Sequence, residues 1–123
     1  MNDRVREELR RACRSAIGDS LRSIVYFTAD DYEQLYLRED LDASADLASF
    51  VENERRGFER RETGVNSELG GYEYTIHSHE DGALTRVITA DHGVFVTTDP
   101  LSTARFEEVA TAIREVLAQT PER

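Results

Sequence analysis

Apolar residues recur every three to four positions at the start of the chain: Val5, Leu9, Ala12/Cys13 and Ala16/Ile17. That spacing lays one stripe along a helix over 3–17. Asn2 or Asp3 can cap its start, and Gly18 can end it. The period then drops to two. Ser23–Thr28 and Tyr32–Arg38 are β-branched and aromatic runs on either side of Ala29-Asp30-Asp31, which predicts a hairpin with a three-residue loop. If Thr28 faces Tyr32, one face carries Val25, Phe27, Leu35 and Leu37. The other carries Ile24, Tyr26, Tyr32, Gln34 and Tyr36. Both faces then hold apolar mass and both need cover.

Helical spacing returns over 43–62, with Leu47, Phe50, Val51, Glu54 and Phe58 along one side and Asp42 or Ser44 as cap. Gly64 and Gly70-Gly71 bound a loop. Three strands follow at Tyr72–His79, Ala83–Ala90 and Val94–Thr98, joined by tight turns at Glu80-Asp81-Gly82 and Asp91-His92-Gly93. Asp99-Pro100 starts the last helix, since proline suits a first turn. Phe106, Val109/Ala110, Ile113 and Val116/Leu117 form its stripe, and Pro121 closes it. The order α-β-β-α-β-β-β-α predicts one α+β domain over 1–123. Its single five-stranded sheet is mostly antiparallel, with helices on both faces.

Composition narrows the chemistry. All 15 basic residues among the 123 are arginine, against 25 acids, for a net charge of −10. Without lysine there is no Walker A lysine and no Schiff base. Cys13 is the one cysteine, which excludes an intramolecular disulfide and a cysteine-cluster zinc site. No apolar run approaches the ~20 residues of a membrane span, and the N-terminus lacks a signal peptide's apolar core. A soluble cytoplasmic protein is expected, with no membrane contact. The acid excess argues against nucleic acid as a partner. It fits solubility by self-repulsion in a high-salt cytoplasm, where ~1 M salt cuts the Debye length to ~3 Å. Residues 1–22 run the other way, with six arginines against four acids. That helix can dock on an acidic partner, dock on its own sheet, or simply be solvated.

Candidate chemistry is sparse. His77 and His79, two apart on a strand, point to one face and are candidate metal ligands, with Glu73 on the same face. His92 sits at the far end of the neighbouring strand, too distant to join them. A surface polar pair is the plainer reading of His77 and His79. No nucleophile elbow, Cys-His pair or dinucleotide loop is present, so no catalytic residue and no cofactor are assigned. Cys13 lies on an apolar stripe and reads as a small core residue. Arg55, Arg56, Arg60 and Arg61 interleave with acids at helical spacing, which favours pairing within the helix over a phosphate site. Tyr26, Tyr32 and Tyr36 line one side of the hairpin, and Tyr72 and Tyr74 one face of the third strand. Tyrosine is enriched at interfaces, so these five are candidate contacts unless the second helix covers them.

Leu21–Leu41, with Tyr32, Leu35, Tyr36, Arg38 and Asp40 in a Tyr-x-x-Leu-Tyr-x-Arg-x-Asp strand, resembles a hairpin of a family of small haloarchaeal proteins of no known activity. The element order resembles roadblock-type domains, with profilin-like and longin-like folds as neighbours. The roadblock resemblance implies a non-catalytic homodimer that binds a small GTPase or scaffolds an assembly. The resulting reading is a non-enzymatic interaction module using the second helix, third strand and tyrosines. A metal-binding protein using His77 and His79, and a small-molecule sensor, are the alternatives.

Overall fold

A computed structural model describes residues 3–41, 47–63, 71–89 and 92–119, with side chains from 57 to 63 excluded. The expected caps Asp42 and Ser44, the glycines Gly64 and Gly70, the strand end Ala90, the turn residue Asp91 and Pro121 lie outside the described residues. So does the side chain of Phe58.

α1 (Asp3–Ile17) buries Val5, Leu9, Cys13 and Ile17, the stripe read from the spacing. Gly18 ends it in the left-handed region at φ 55°, where a Cβ would be strained. A single 3-10 turn, Gly18–Ser20, leads into β1 (Leu21–Thr28). β2 (Tyr32–Leu37) returns antiparallel. α2 (Leu47–Thr63) follows, then β3 (Thr75–His79), β4 (Gly82–Ile88), β5 (His92–Thr98) and α3 (Thr103–Ala118). The five strands form one sheet in the order β2-β1-β5-β4-β3. Every pairing is antiparallel.

Two cores flank this sheet. α1 and α3 pack Leu9, Cys13, Val109 and Ile113 onto Ile24, Tyr26, Val87, Val94 and Val96. On the opposite face α2 sets Val51 onto a smaller cluster of Val25, Phe27, Leu84, Ile88 and Phe95.

Four details differ from expectation. Phe27, not Thr28, stands opposite Tyr32, and a bulge separates Ile24↔Tyr36 from Val25↔Gln34. A one-residue shift exchanges the faces of a strand. Tyr32 and Gln34 therefore share the face of Phe27, and Leu35, the extra residue in the bulge, joins the α1/α3 core. His92 is the first residue of β5 rather than a turn residue. β3 begins at Thr75, because among the described residues Tyr72–Tyr74 pair with no strand. α3 begins after Ser102, whose hydroxyl accepts from the Arg105 amide at 3.3 Å. Asp99 is not its cap because that carboxylate is bound by Arg38.

Candidate interaction surface

An antiparallel sheet exposes unpaired backbone groups along both edge strands. Here the two edges differ. Along β2, three α1 arginines one turn apart reach over the rim. Arg6 pairs with Glu33 at 2.6 Å. Arg10 Nε donates to the Leu35 carbonyl at 2.7 Å. Arg14 donates to the Tyr36 hydroxyl at 2.9 Å, and its guanidinium lies 5.7 Å from the ring centre. From the other face, Arg55 of α2 donates to the Thr28 and Asp31 carbonyls at 2.8 and 3.0 Å. The basic N-terminal helix thus docks on its own sheet.

The cluster at the end of β2 explains the Arg-x-Asp of the hairpin. Arg38 forks onto Asp99 at 2.7 and 3.1 Å and onto Asp40 at 2.7 Å, and donates to the Asp19 carbonyl at 2.8 Å. These hydrogen bonds hold the Asp99 and Asp40 carboxyls below the usual range and raise the guanidinium's own value. One side chain ties together three loops at the same end of the sheet.

At the opposite edge, among the described residues, β3 pairs with β4 on one side only. Among the described residues, no side chain caps a backbone group of β3. Arg86 and Tyr72 reach only the Thr75 hydroxyl, at 2.8 and 3.1 Å. Ser78 and His79 are exposed.

α2 lies beside this open edge. Its inner side is held by an ion pair beneath the helix: Arg86 Nη1 donates to Glu54 Oε1 at 3.1 Å, with side chains 5% and 1% exposed. Asn53 donates to the second Glu54 oxygen at 3.2 Å. The outer side presents Ala48, Ser49, Glu52, Asn53 and Arg56. Phe50, placed on the covered side by its spacing, is instead 49% exposed. Its ring stacks on Phe95 with centres 6.4 Å apart. It forms one wall of an open groove of about 530 Å³ that His79, Leu84, Arg22 and Thr97 also line.

The five tyrosines divide between the two faces. Tyr26 is buried, and its hydroxyl lies 2.9 Å from His92 Nδ1. Tyr36 and Tyr74 flank the α1/α3 core, whereas Tyr72 packs on the α2 side. Tyr72 also donates to the Arg86 carbonyl at 3.0 Å. Tyr32 is 44% exposed. His77 and His79 share the α2 face of β3, since their opposite residues are Leu84 and Gly82. Glu73 leaves that set to pair with Arg114 of α3 at 3.4 Å. Thr97, opposite Leu84, is five residues along β5 from His92, a separation of roughly 17 Å. No group of three His, Cys, Asp or Glu among the described residues is arranged to hold a metal. Burial pushes the Cys13 thiol up to about 12, so it is not a thiolate nucleophile at neutral pH.

A family model described as "Domain of unknown function (DUF7522)" matches residues 7–118. The chain belongs to the DUF7522 family. No curated protein matches it. Among solved structures, MglB of Myxococcus xanthus is similar with a TM-score of 0.61 and 12% identity, covering 100% of this chain and 97% of that one. The gliding protein MglB of Thermus thermophilus is similar with a TM-score of 0.57 and 11% identity, covering 98% and 96%. Such identities show the fold. This DUF7522 chain has the α+β architecture of the roadblock type, as its element order implied. No helix among its described residues is long and apolar enough to cross a membrane.

The Glu54–Arg86 pair is the feature of this DUF7522 surface that sequence reasoning missed. Glu54 does fall on the apolar stripe of the second helix, and Arg86 interrupts the apolar Ala83–Ile88 run. Each is odd alone, and only the fold shows that they meet.

Proposed function

We propose that this DUF7522 chain is a non-enzymatic protein-interaction module that acts as a homodimer joined through β3 and α2. The unequal sheet edges carry this reading. Arginines engage the β1–β2 hairpin from both faces, while among the described residues β3 keeps one side of its ladder free. An antiparallel edge is self-complementary about a two-fold axis, the commonest oligomer symmetry. Phe50 adds an apolar contact at the end of α2. The roadblock-type fold supports a small GTPase as a further partner of the joined pair. The setting proposed is a saline cytoplasm.

Sedimentation velocity of the full chain in multimolar KCl tests the dimer. The expected species has twice the 14.0 kDa chain mass. Ser78→Glu places like charges across the seam on an exposed side chain. It should weaken association by at least about tenfold, some 1.4 kcal/mol, without unfolding the chain. A wild-type chain that stays monomeric at high micromolar concentration would overturn the reading.

The environment has its own test. With a net charge of −10, dilution of KCl lengthens the Debye length from ~3 Å at 1 M to ~30 Å at 0.01 M and restores self-repulsion. The melting temperature by circular dichroism should fall by about 10 °C, roughly 2 kcal/mol for a chain of this size. An unchanged melting temperature would sink the saline setting.

A further inference from the structure

His77 and His79 stand on the free strand. Thr75, His77 and His79 alternate with Ile76 and Ser78, so both imidazoles lie on the face that α2 shares. α2 packs over β1 and β4, and Ser78 and His79 of β3 are exposed. His77 is half-buried and His79 exposed. Neither ring has a hydrogen bond or ion pair among the described residues. Among the described residues one chain offers two nitrogen donors here and no third ligand grouped with them, for Glu73 is held by Arg114 and His92 is buried against Tyr26. Two donors make half of a four-ligand site.

We propose that a second copy completes it. Two β3 strands paired antiparallel about a two-fold axis bring His77 and His79 of both copies to one seam, where the four imidazoles bind one divalent transition metal ion. This rests on the dimer reading above.

The pleat limits how the two strands can meet. Directly opposite residues of an antiparallel pair point to the same face. The axis must therefore pass through a residue position, not between two. Centred on Ser78, it sets His77 opposite His79 of the second copy, and His79 opposite His77 of the second copy. Opposed Cβ atoms are about 5 Å apart, and residues two apart on a strand about 7 Å. The four Cβ atoms then mark a rectangle of about 5 by 7 Å, whose centre lies within reach of each ring. Centring on His77 or on His79 still opposes that residue to its own copy. Imidazole nitrogens suit nickel, copper and zinc among divalent ions. The ion adds positive charge to a pairing of two chains that each carry −10.

The test uses the full chain, stripped with EDTA and titrated with Ni²⁺ in multimolar KCl. Bound metal and sedimentation are measured together. The expected result is one Ni²⁺ per two chains and a dimer tightened at least about tenfold by the metal, as linkage requires. His77→Ala/His79→Ala should abolish both effects. Neither side chain is buried, so its circular dichroism should match wild type, and its backbone ladder should still pair the chains without metal. One Ni²⁺ per chain with unchanged association, or a dimer that binds none, overturns the shared site and leaves the interaction module standing. A chain that is monomeric with and without Ni²⁺ overturns both.

Discussion

Arg86→Ala should cost about 3–5 kcal/mol of unfolding free energy, because it leaves the Glu54 carboxylate buried without its cation. The pair lies between α2 and the centre of β4, at 3.1 Å, with both side chains almost fully covered. Removing the guanidinium also takes a donor from the Thr75 hydroxyl. The pair itself is not an efficient stabiliser. Arg86 Nε has no partner among the described residues, and desolvating two charges offsets most of their attraction. The Glu54→Leu/Arg86→Met double variant should therefore recover most of the single variant's loss. Denaturant titration followed by circular dichroism at fixed KCl measures both. A loss below about 1 kcal/mol for Arg86→Ala would mean that water reaches Glu54.

Phe27→Ala should be comparably damaging, at about 3–5 kcal/mol. The α2-side core is the smaller of the two, and Phe27 is fully buried in it. Its ring centre lies 6.0 Å from that of Phe95. The ring also covers Gly93, its cross-strand neighbour. A Cβ on Gly93 would come within 2.7 Å of Phe27 Cζ and of Ile88 Cγ2. Gly93→Ala should thus lose about 1–3 kcal/mol by overpacking. The two changes are coupled: the Phe27→Ala/Gly93→Ala double variant should lose less than the sum, since one removes an atom the other strikes. Strict additivity in denaturant titrations would show that the backbone, not the ring, absorbs the change.

Local pattern carried much of this fold. The α1 stripe, the Gly18 stop and the order of elements follow from periodicity alone. What escaped was set by contacts distant in sequence. The bulge that moves Leu35 to the α1/α3 core depends on how β2 settles against β1. Asp91-His92-Gly93 has turn composition, yet His92 enters β5, where Tyr26 accommodates its ring from 66 residues away. Asp99-Pro100 resembles a helix start, but Arg38 takes the aspartate and Ser102 caps α3. At the candidate surface, His77 and His79 were legible as a pair because two-residue spacing fixes their common face. That their strand is an open edge was not, since edge position depends on the order of all five strands.

The arginines along β2 bear on how large an assembly this sheet can build. A pair joined through β3 uses up the free edge of each member, so the joined sheet ends at β2 on both rims. There the Leu35 carbonyl of β2 already accepts from Arg10, and at the hairpin end the Thr28 and Asp31 carbonyls accept from Arg55. A third chain meets an acceptor already taken at Leu35. For the proposed dimer this favours a closed pair over growth into a fibre, and the guard against polymerisation is written in the only basic residue type the chain uses.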